Sequence, residues 1–252
     1  MNTQKTFVLI VFIFLLTAPV TSAFAEWHFG IGTGPQLLKV DGDMGFNTNI
    51  AGPVKFSVKL EPDDVADLTN TAFGFGGYAT DGSWLIEYSL GKLELEGDST
   101  EGPVSARIDF DVTGGELLVG YPVYRQPSLK LSLLGGVRFT KHEISSHITD
   151  GAAQLNRNID NDWTDAVVGV ALGVPLFKDW NWSTRVDAGF GGSEGTYTAK
   201  TGVTWNFHEH WSTTLAAKYQ AIEFENGSRG DTDWYLYDVD ETTLGLAILF
   251  NW

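Results

Sequence analysis

Cysteine is absent from this chain of 252 residues. That excludes disulfide stapling, and it excludes a lipid anchor on a cysteine at the N-terminus. Basic residues are scarce, with 16 Lys and Arg against 32 Asp and Glu, a formal net charge of -16 and a pI near 4.5. A chain this acidic repels phosphate backbones, so nucleic acid is excluded as a partner. Helical periodicity is rare. Long hydrophobic runs are missing after the first 25 residues. Aromatic residues are plentiful, at 13% with nine Trp, and glycine reaches 29, which argues against disorder and for many strands.

The first 25 residues read MNTQKTFVLIVFIFLLTAPVTSAFA. Lys5 gives a positive start, Phe7 to Leu16 an apolar run, Pro19 a helix break, and Ala23-Phe24-Ala25 a small-x-small cleavage pattern. This is the layout of a secretory signal peptide. The apolar run is too short to cross about 30 Å of hydrocarbon, which takes roughly 20 residues. Residues 1–25 are predicted to be removed, leaving 26–252 as one domain.

The last residues, 243-TLGLAILFNW-252, show the pattern that organises the rest. Thr242, Leu244, Leu246, Ile248, Phe250 and Trp252 share one face of a strand. Glu241, Thr243, Gly245, Ala247, Leu249 and Asn251 share the other. One face is large and apolar, the other small or polar. The same division recurs over 129–139, 165–174, 182–191 and 197–206, with one or two charges set among glycines on the polar side. A soluble sandwich turns its large face to a core, whereas a membrane barrel turns it to lipid and keeps a polar interior. Ten such segments can be counted: 26–39, 69–79, 83–97, 105–122, 128–143, 163–176, 181–191, 195–207, 211–225 and 234–252. Eight is the alternative count. Gly114-Gly115 interrupts the parity of the fourth segment, and a bulge is predicted there.

The connections alternate in length. Those at 80–83, 123–128, 177–181 and 208–210 are tight. Those at 40–68, 98–104, 144–162 and 226–233 are longer and acidic, with 192–195 the short exception. Trp27, Trp84, Trp180, Trp182, Trp205, Trp211 and Trp252 all fall at segment ends beside the tight turns. Short turns on one side, long loops on the other and an aromatic girdle are features of an outer-membrane barrel. The fold class predicted is all-β: a transmembrane antiparallel up-and-down barrel of ten strands. Its location is the outer membrane, among lipid and lipopolysaccharide.

The segment 163-WTDAVVGVALGVPLFKDWNWSTRVDAGFGGSEGTYTAKTGVTWNF-207 resembles a pattern found in small outer-membrane barrels of the OmpA-like superfamily. Trp163, Asp165, Gly169, Arg185, Asp187 and Gly191 fit that pattern. The chain departs from it at 188-AGFGG-192. The resemblance implies fold and location and no reaction. The terminal aromatic strand, with Phe250 and Trp252, also resembles the signal read by the barrel-assembly machinery, which makes that machinery an expected partner.

Parity places Glu87, Glu116, Asp165, Asp187 and Glu241 inside the barrel with Lys130, Arg138, Arg185, Lys200 and Lys218. Five acids facing five bases suit a lumen filled by ion pairs, because buried charges are tolerated only when paired. Residues 53–68 read as a short strand followed by a helical turn at Pro62, Asp63 and Asp64. They would either extend the wall or plug the lumen. Asp63 and Asp64 with His142 or His147 echo an omptin-type protease by residue type alone, and His142 with Ser145 or Ser146 a deacylase. No spacing suits zinc. The clusters at Asp41–Asp43, Asp160–Asp162 and Asp231–Asp233 suit weak divalent binding. These observations favour a non-enzymatic barrel with a closed lumen, no cofactor and a structural or surface-interaction role. The alternatives are a small-solute pore and a surface hydrolase.

Overall fold

The computed structural model describes residues 26–47, 52–101, 104–149 and 154–252. The signal-peptide prediction lies outside them. In chain order the elements are β1 (His28–Thr33), β2 (Gln36–Asn47), β3 (Pro53–Leu60), α1 (Pro62–Leu68), β4 (Thr69–Thr80), β5 (Leu85–Glu101), β6 (Val104–Gln126), β7 (Leu129–Thr149), β8 (Gln154–Phe177), β9 (Trp180–Phe190), β10 (Gly195–His208), β11 (Trp211–Asn226) and β12 (Tyr235–Asn251).

Every pairing is antiparallel between chain neighbours from β4 to β12, and β1 joins β4 to β12. A ring of ten strands results, so the eight-strand alternative does not hold. The last residue closes the ring: Phe29 N–H donates to the Trp252 carbonyl at 2.8 Å, and Trp252 N–H to the Phe29 carbonyl at 3.0 Å. The final strand is apolar because it forms wall, with Leu244, Leu246, Ile248 and Phe250 all exposed on the outer face. Outward Leu133, Val137, Val168, Val170, Val186, Leu117 and Val119 continue that band around the barrel. Trp180 stacks on Trp205 with centroids 5.5 Å apart, and Phe29 on Trp252 at 5.6 Å, at the short-turn end. These rings form the girdle that the spacing predicts.

Two expectations are corrected. Gly114 and Gly115 carry no bulge: they pair in register with Gly91 and Leu90. Glycine's lack of a side chain blurred the parity without changing it. Register shifts fall instead at Thr69/Thr71, Asn206/His208, Pro122/Tyr124 and Pro175/Phe177, and at the last two proline has no N–H to give the ladder. The segments predicted as long loops at 98–104 and 144–162 are largely strand, since β5 to β8 run well past the apolar band. Their polarity inverts there. His142, Ile144 and Ile159 are buried inside, while Lys141, Glu143, Asp160 and Asp162 face out to water. An alternation that swaps its faces reads as loss of pattern.

Residues 53–68 extend the wall. β1 pairs with β4, whereas β2 keeps β12 on one side and takes β3 as its other partner, from Val40↔Leu60 to Asn47↔Pro53. α1 then returns the chain to β4. Pro62 sits in its first turn, the Glu61 N–H donates to Asp64 Oδ2 at 2.9 Å, and Val65 is buried. A capping box and an acidic first turn account for a helix this short.

Candidate functional site

The lumen is crossed by side chains at two levels. At the lower level Arg185 on β9 reaches Glu87 on β5, four strands around a ring of ten, with Nη1 2.9 Å from Oε2. Its Nη2 donates to both oxygens of Glu116 at 2.9 and 3.1 Å, and its Nε lies 2.9 Å from Asp187 Oδ2. Arg138 on β7 donates to Glu116 Oε2 at 3.1 Å, to Asp187 Oδ1 at 2.8 Å and to Thr196 Oγ1 at 3.3 Å. Two planar guanidinium forks are thereby held between three carboxylates. Arginine suits this because its donors are fixed in a plane and its charge is permanent.

The upper level is aromatic. Trp163 on β8 stacks on Phe224 on β11, with centroids 4.1 Å apart and planes 15° from parallel. His142 on β7 lies edge-on to Tyr237 at 4.5 Å, Trp163 at 4.9 Å and Phe110 at 5.1 Å. Its Nδ1 bonds the Tyr235 hydroxyl at 2.8 Å, from the strand diametrically opposite. Val40, Met44, Ile144, Ile159, Ile222 and Val239 fill the rest of this layer. Asn226 Nδ2 donates to Asn161 Oδ1 at 2.9 Å, so β11 and β8 are tied across the lumen again. The hydrocarbon-like core lies inside the upper barrel, where the outer face meets water. Below, where the outer face meets lipid, the core is ionic.

No protein-family model matches the chain, and no curated protein does. Solved structures do. The outer-membrane protease OmpT of Escherichia coli aligns over 93% of this chain and 99% of its own, with a TM-score of 0.54 at 7% identity. The translocator domain of the autotransporter NalP from Neisseria meningitidis aligns over 97% and 94%, at a TM-score of 0.45 and 13% identity. The attachment protein Ail of Yersinia pestis aligns over 90% and 99%, at 0.37 and 13%. The OmpT likeness shows the fold alone, and the looser two add nothing to it. With the closed ring, the outward apolar band and the girdle, the location follows. The chain is an outer-membrane β-barrel.

Of the lumen charges read from the sequence of this outer-membrane barrel, Glu87, Glu116, Arg138, Arg185 and Asp187 come together. The other five lie elsewhere. Asp165 is fully buried yet has no base within salt-bridge distance among the described residues. It accepts the N–H groups of Gly192 and Ser193 at 3.0 and 2.8 Å and the Ser193 hydroxyl at 2.7 Å, and so pins the 192–195 turn. Glu241 accepts from the Tyr237 hydroxyl at 3.1 Å. Lys218 donates to Gln220 at 2.9 Å, and Lys130 to the Gly82 carbonyl at 3.3 Å in the short-turn region. Lys200 has no carboxylate within salt-bridge distance among the described residues. Parity assigns a face and not a height, so it cannot say which inward charges meet.

The residues singled out for hydrolysis are not assembled. His142 bonds Tyr235, His147 bonds Asn156, and Ser146 Oγ reaches the Arg157 carbonyl at 3.5 Å. Asp64 caps its own helix. Asp41 and Asp43 sit outward on β2, opposite Asp240 and Asp238 of β12, and Asp231 Oδ2 accepts from the Ser228 N–H. Among the described residues no group of three or more His, Asp or Glu is placed to hold a metal ion. The aromatic layer had escaped sequence reading. Its one signal is that Tyr235, Tyr237 and Val239 keep the parity of Glu241, the inward face.

Proposed function

We propose that this outer-membrane barrel is a closed, structural component of the envelope that presents its upper strands and acidic rim at the surface. The observation that carries the reading is the double crossing of the lumen, by Arg185–Glu87 at one level and His142–Tyr235 at the other. A pore wide enough for a hydrated solute has no room for either bond. The rim supports contact with lipopolysaccharide: Asp238 stands directly opposite Glu223 of β11, and Asp240 opposite Asp41 of β2. Like charges so placed repel, and divalent cations shared with lipid phosphates would relieve them.

Single-channel recording of the refolded protein in a planar bilayer tests this. Silence is expected from the wild type and from a variant lacking 53–68, because that segment is wall and not plug. Steady conductance in the wild type would overturn the closed reading in favour of transport.

A further inference from the structure

A donor patch lies on the inner wall beside the ionic layer. Thr198 and Lys200 on β10 stand in register with Gln220 and Lys218 on β11. All four share the inward parity, since the alternating Tyr197, Ala199, Ala217 and Tyr219 face out. Thr198 is 4% exposed, and its hydroxyl has no hydrogen-bond partner among the described residues. Gln220 is buried and accepts from Lys218 Nζ on its amide oxygen at 2.9 Å, which leaves its two amide N–H groups to donate. Lys200 is exposed although it faces inward, so water reaches it inside the barrel.

The neighbouring acids are committed elsewhere. Asp187, opposite Thr198 on β9, is held by Arg138 and Arg185. Glu116 is held by the same two arginines. Glu241, opposite Gln220 on β12, takes the Tyr237 hydroxyl. None lies within salt-bridge distance of either lysine. Two ammonium groups directly across a strand pair repel unless an anion sits between them. A buried hydroxyl with no partner is likewise an unmet requirement.

The patch also has an approach. Below it towards the short turns, Gly202, Ala216 and Gly245 form one cross-strand row and Thr204, Thr214 and Ala247 the next. All six are half-buried and small, so no large side chain of these two rows stands between the patch and that end of the barrel. The two crossings close the other direction.

We infer that Thr198, Lys200, Lys218 and Gln220 form a binding site for a compact soluble oxyanion, a phosphate or carboxylate, that enters from the short-turn mouth, the periplasmic side of such barrels. Bound there, the anion would bridge the two ammonium groups and accept from the threonine hydroxyl and the glutamine amide. Such charge-assisted bonds are the strong class.

Competition at Lys200 tests the site. The refolded protein is treated with a small amine-acylating reagent, and mass spectrometry follows the rate at each lysine with and without sodium pyrophosphate. Mass action slows Lys200 by about threefold at twice the dissociation constant. Lys178, exposed in the turn between β8 and β9, serves as control and keeps its rate. Chloride at matched ionic strength leaves both unchanged. Thr198→Val and Lys218→Gln each abolish the protection, with a heat-shifted gel band confirming a folded barrel. If Lys218→Gln fails to fold, Thr198→Val carries the comparison alone. Equal slowing at Lys178 or by chloride would show screening. Protection that survives Thr198→Val would place the anion elsewhere. Protection by phosphatidylglycerol in mixed micelles, with none by pyrophosphate, would make the ligand a lipid headgroup. Any of these, or no protection at all, overturns the assignment.

Discussion

Removing Arg185 should cost far more than removing the acid it crosses the lumen to reach. Arg185→Met takes away the partner of Glu87, one of the two holding Glu116, and one of the two holding Asp187. Arg138 still covers Glu116 and Asp187, so the uncovered charge is chiefly Glu87. Stripping one partner from a buried pair costs about 3–5 kcal/mol. Glu87 has a side chain 34% exposed and regains some hydration, which puts Arg185→Met near 3 kcal/mol, the lower end of that range. Glu87→Gln leaves Arg185 with two carboxylates and removes a pair that water already screens, so it should cost about 1 kcal/mol or less. The double variant should regain part of the larger loss, because no charge is then left alone. Urea unfolding from lipid vesicles, followed by the fluorescence of the nine Trp, reads all three. If Arg185→Met costs under about 1 kcal/mol, or if Glu87→Gln costs as much as Arg185→Met, the ionic layer is not the tie described above.

Tyr235→Phe leaves the His142 ring in place without its hydroxyl partner, and should lower stability by about 1–3 kcal/mol in the same titration. Asp81 lies in the turn before β5, where N–H groups of Trp84 and Ser83 donate to its carboxylate at 2.6 and 2.8 Å. Those bonds, Trp84 first, hold its carboxyl below the ordinary carboxylate range. A lowered value means stability that is present above pH about 4 and is lost as pH falls through the folded-state value. Asp81→Ala should therefore shift the urea midpoint down at pH 7 and match the wild type in strong acid. A midpoint gap that persists at low pH would refute this. Removal of Phe250 and Trp252 should slow membrane insertion by the assembly machinery in a reconstituted system. Unchanged insertion would count against their role as its signal.

The wall was legible because lipid imposes one simple rule on every strand, large apolar side chains at alternate positions. Leu244 to Phe250 follow that rule without exception, and the tight turns with their Trp residues fix the lower end. The rule stops at the lipid boundary. Past Phe139, His142 and Ile144 point inward and Glu143 outward, so the pattern holds with its meaning reversed, and the extended hairpins read as loops. The lumen was only partly legible for a different reason. Inward parity selects Arg185 and Lys200 alike, yet one is sunk among three carboxylates and the other meets water. Strand tilt and side-chain reach decide which charges meet, and a single sequence holds neither. Asp165 illustrates the loss. It stands opposite Arg138 in register but serves the backbone of the next turn.

The split of the first strand has a mechanical consequence. β1 spans only His28–Thr33, and it alone carries the ring from β12 to β4. Above it β2 turns to β3, and the upper part of β4 has β5 on one side only. There the wall is spanned by the Thr33 hydroxyl on the Gly74 carbonyl and by α1, not by a ladder of amides. Every other seam is laced along most of its length, so this one is the zip of the barrel. It is the place where amide hydrogens should exchange first and where the cylinder, once opened, would unroll.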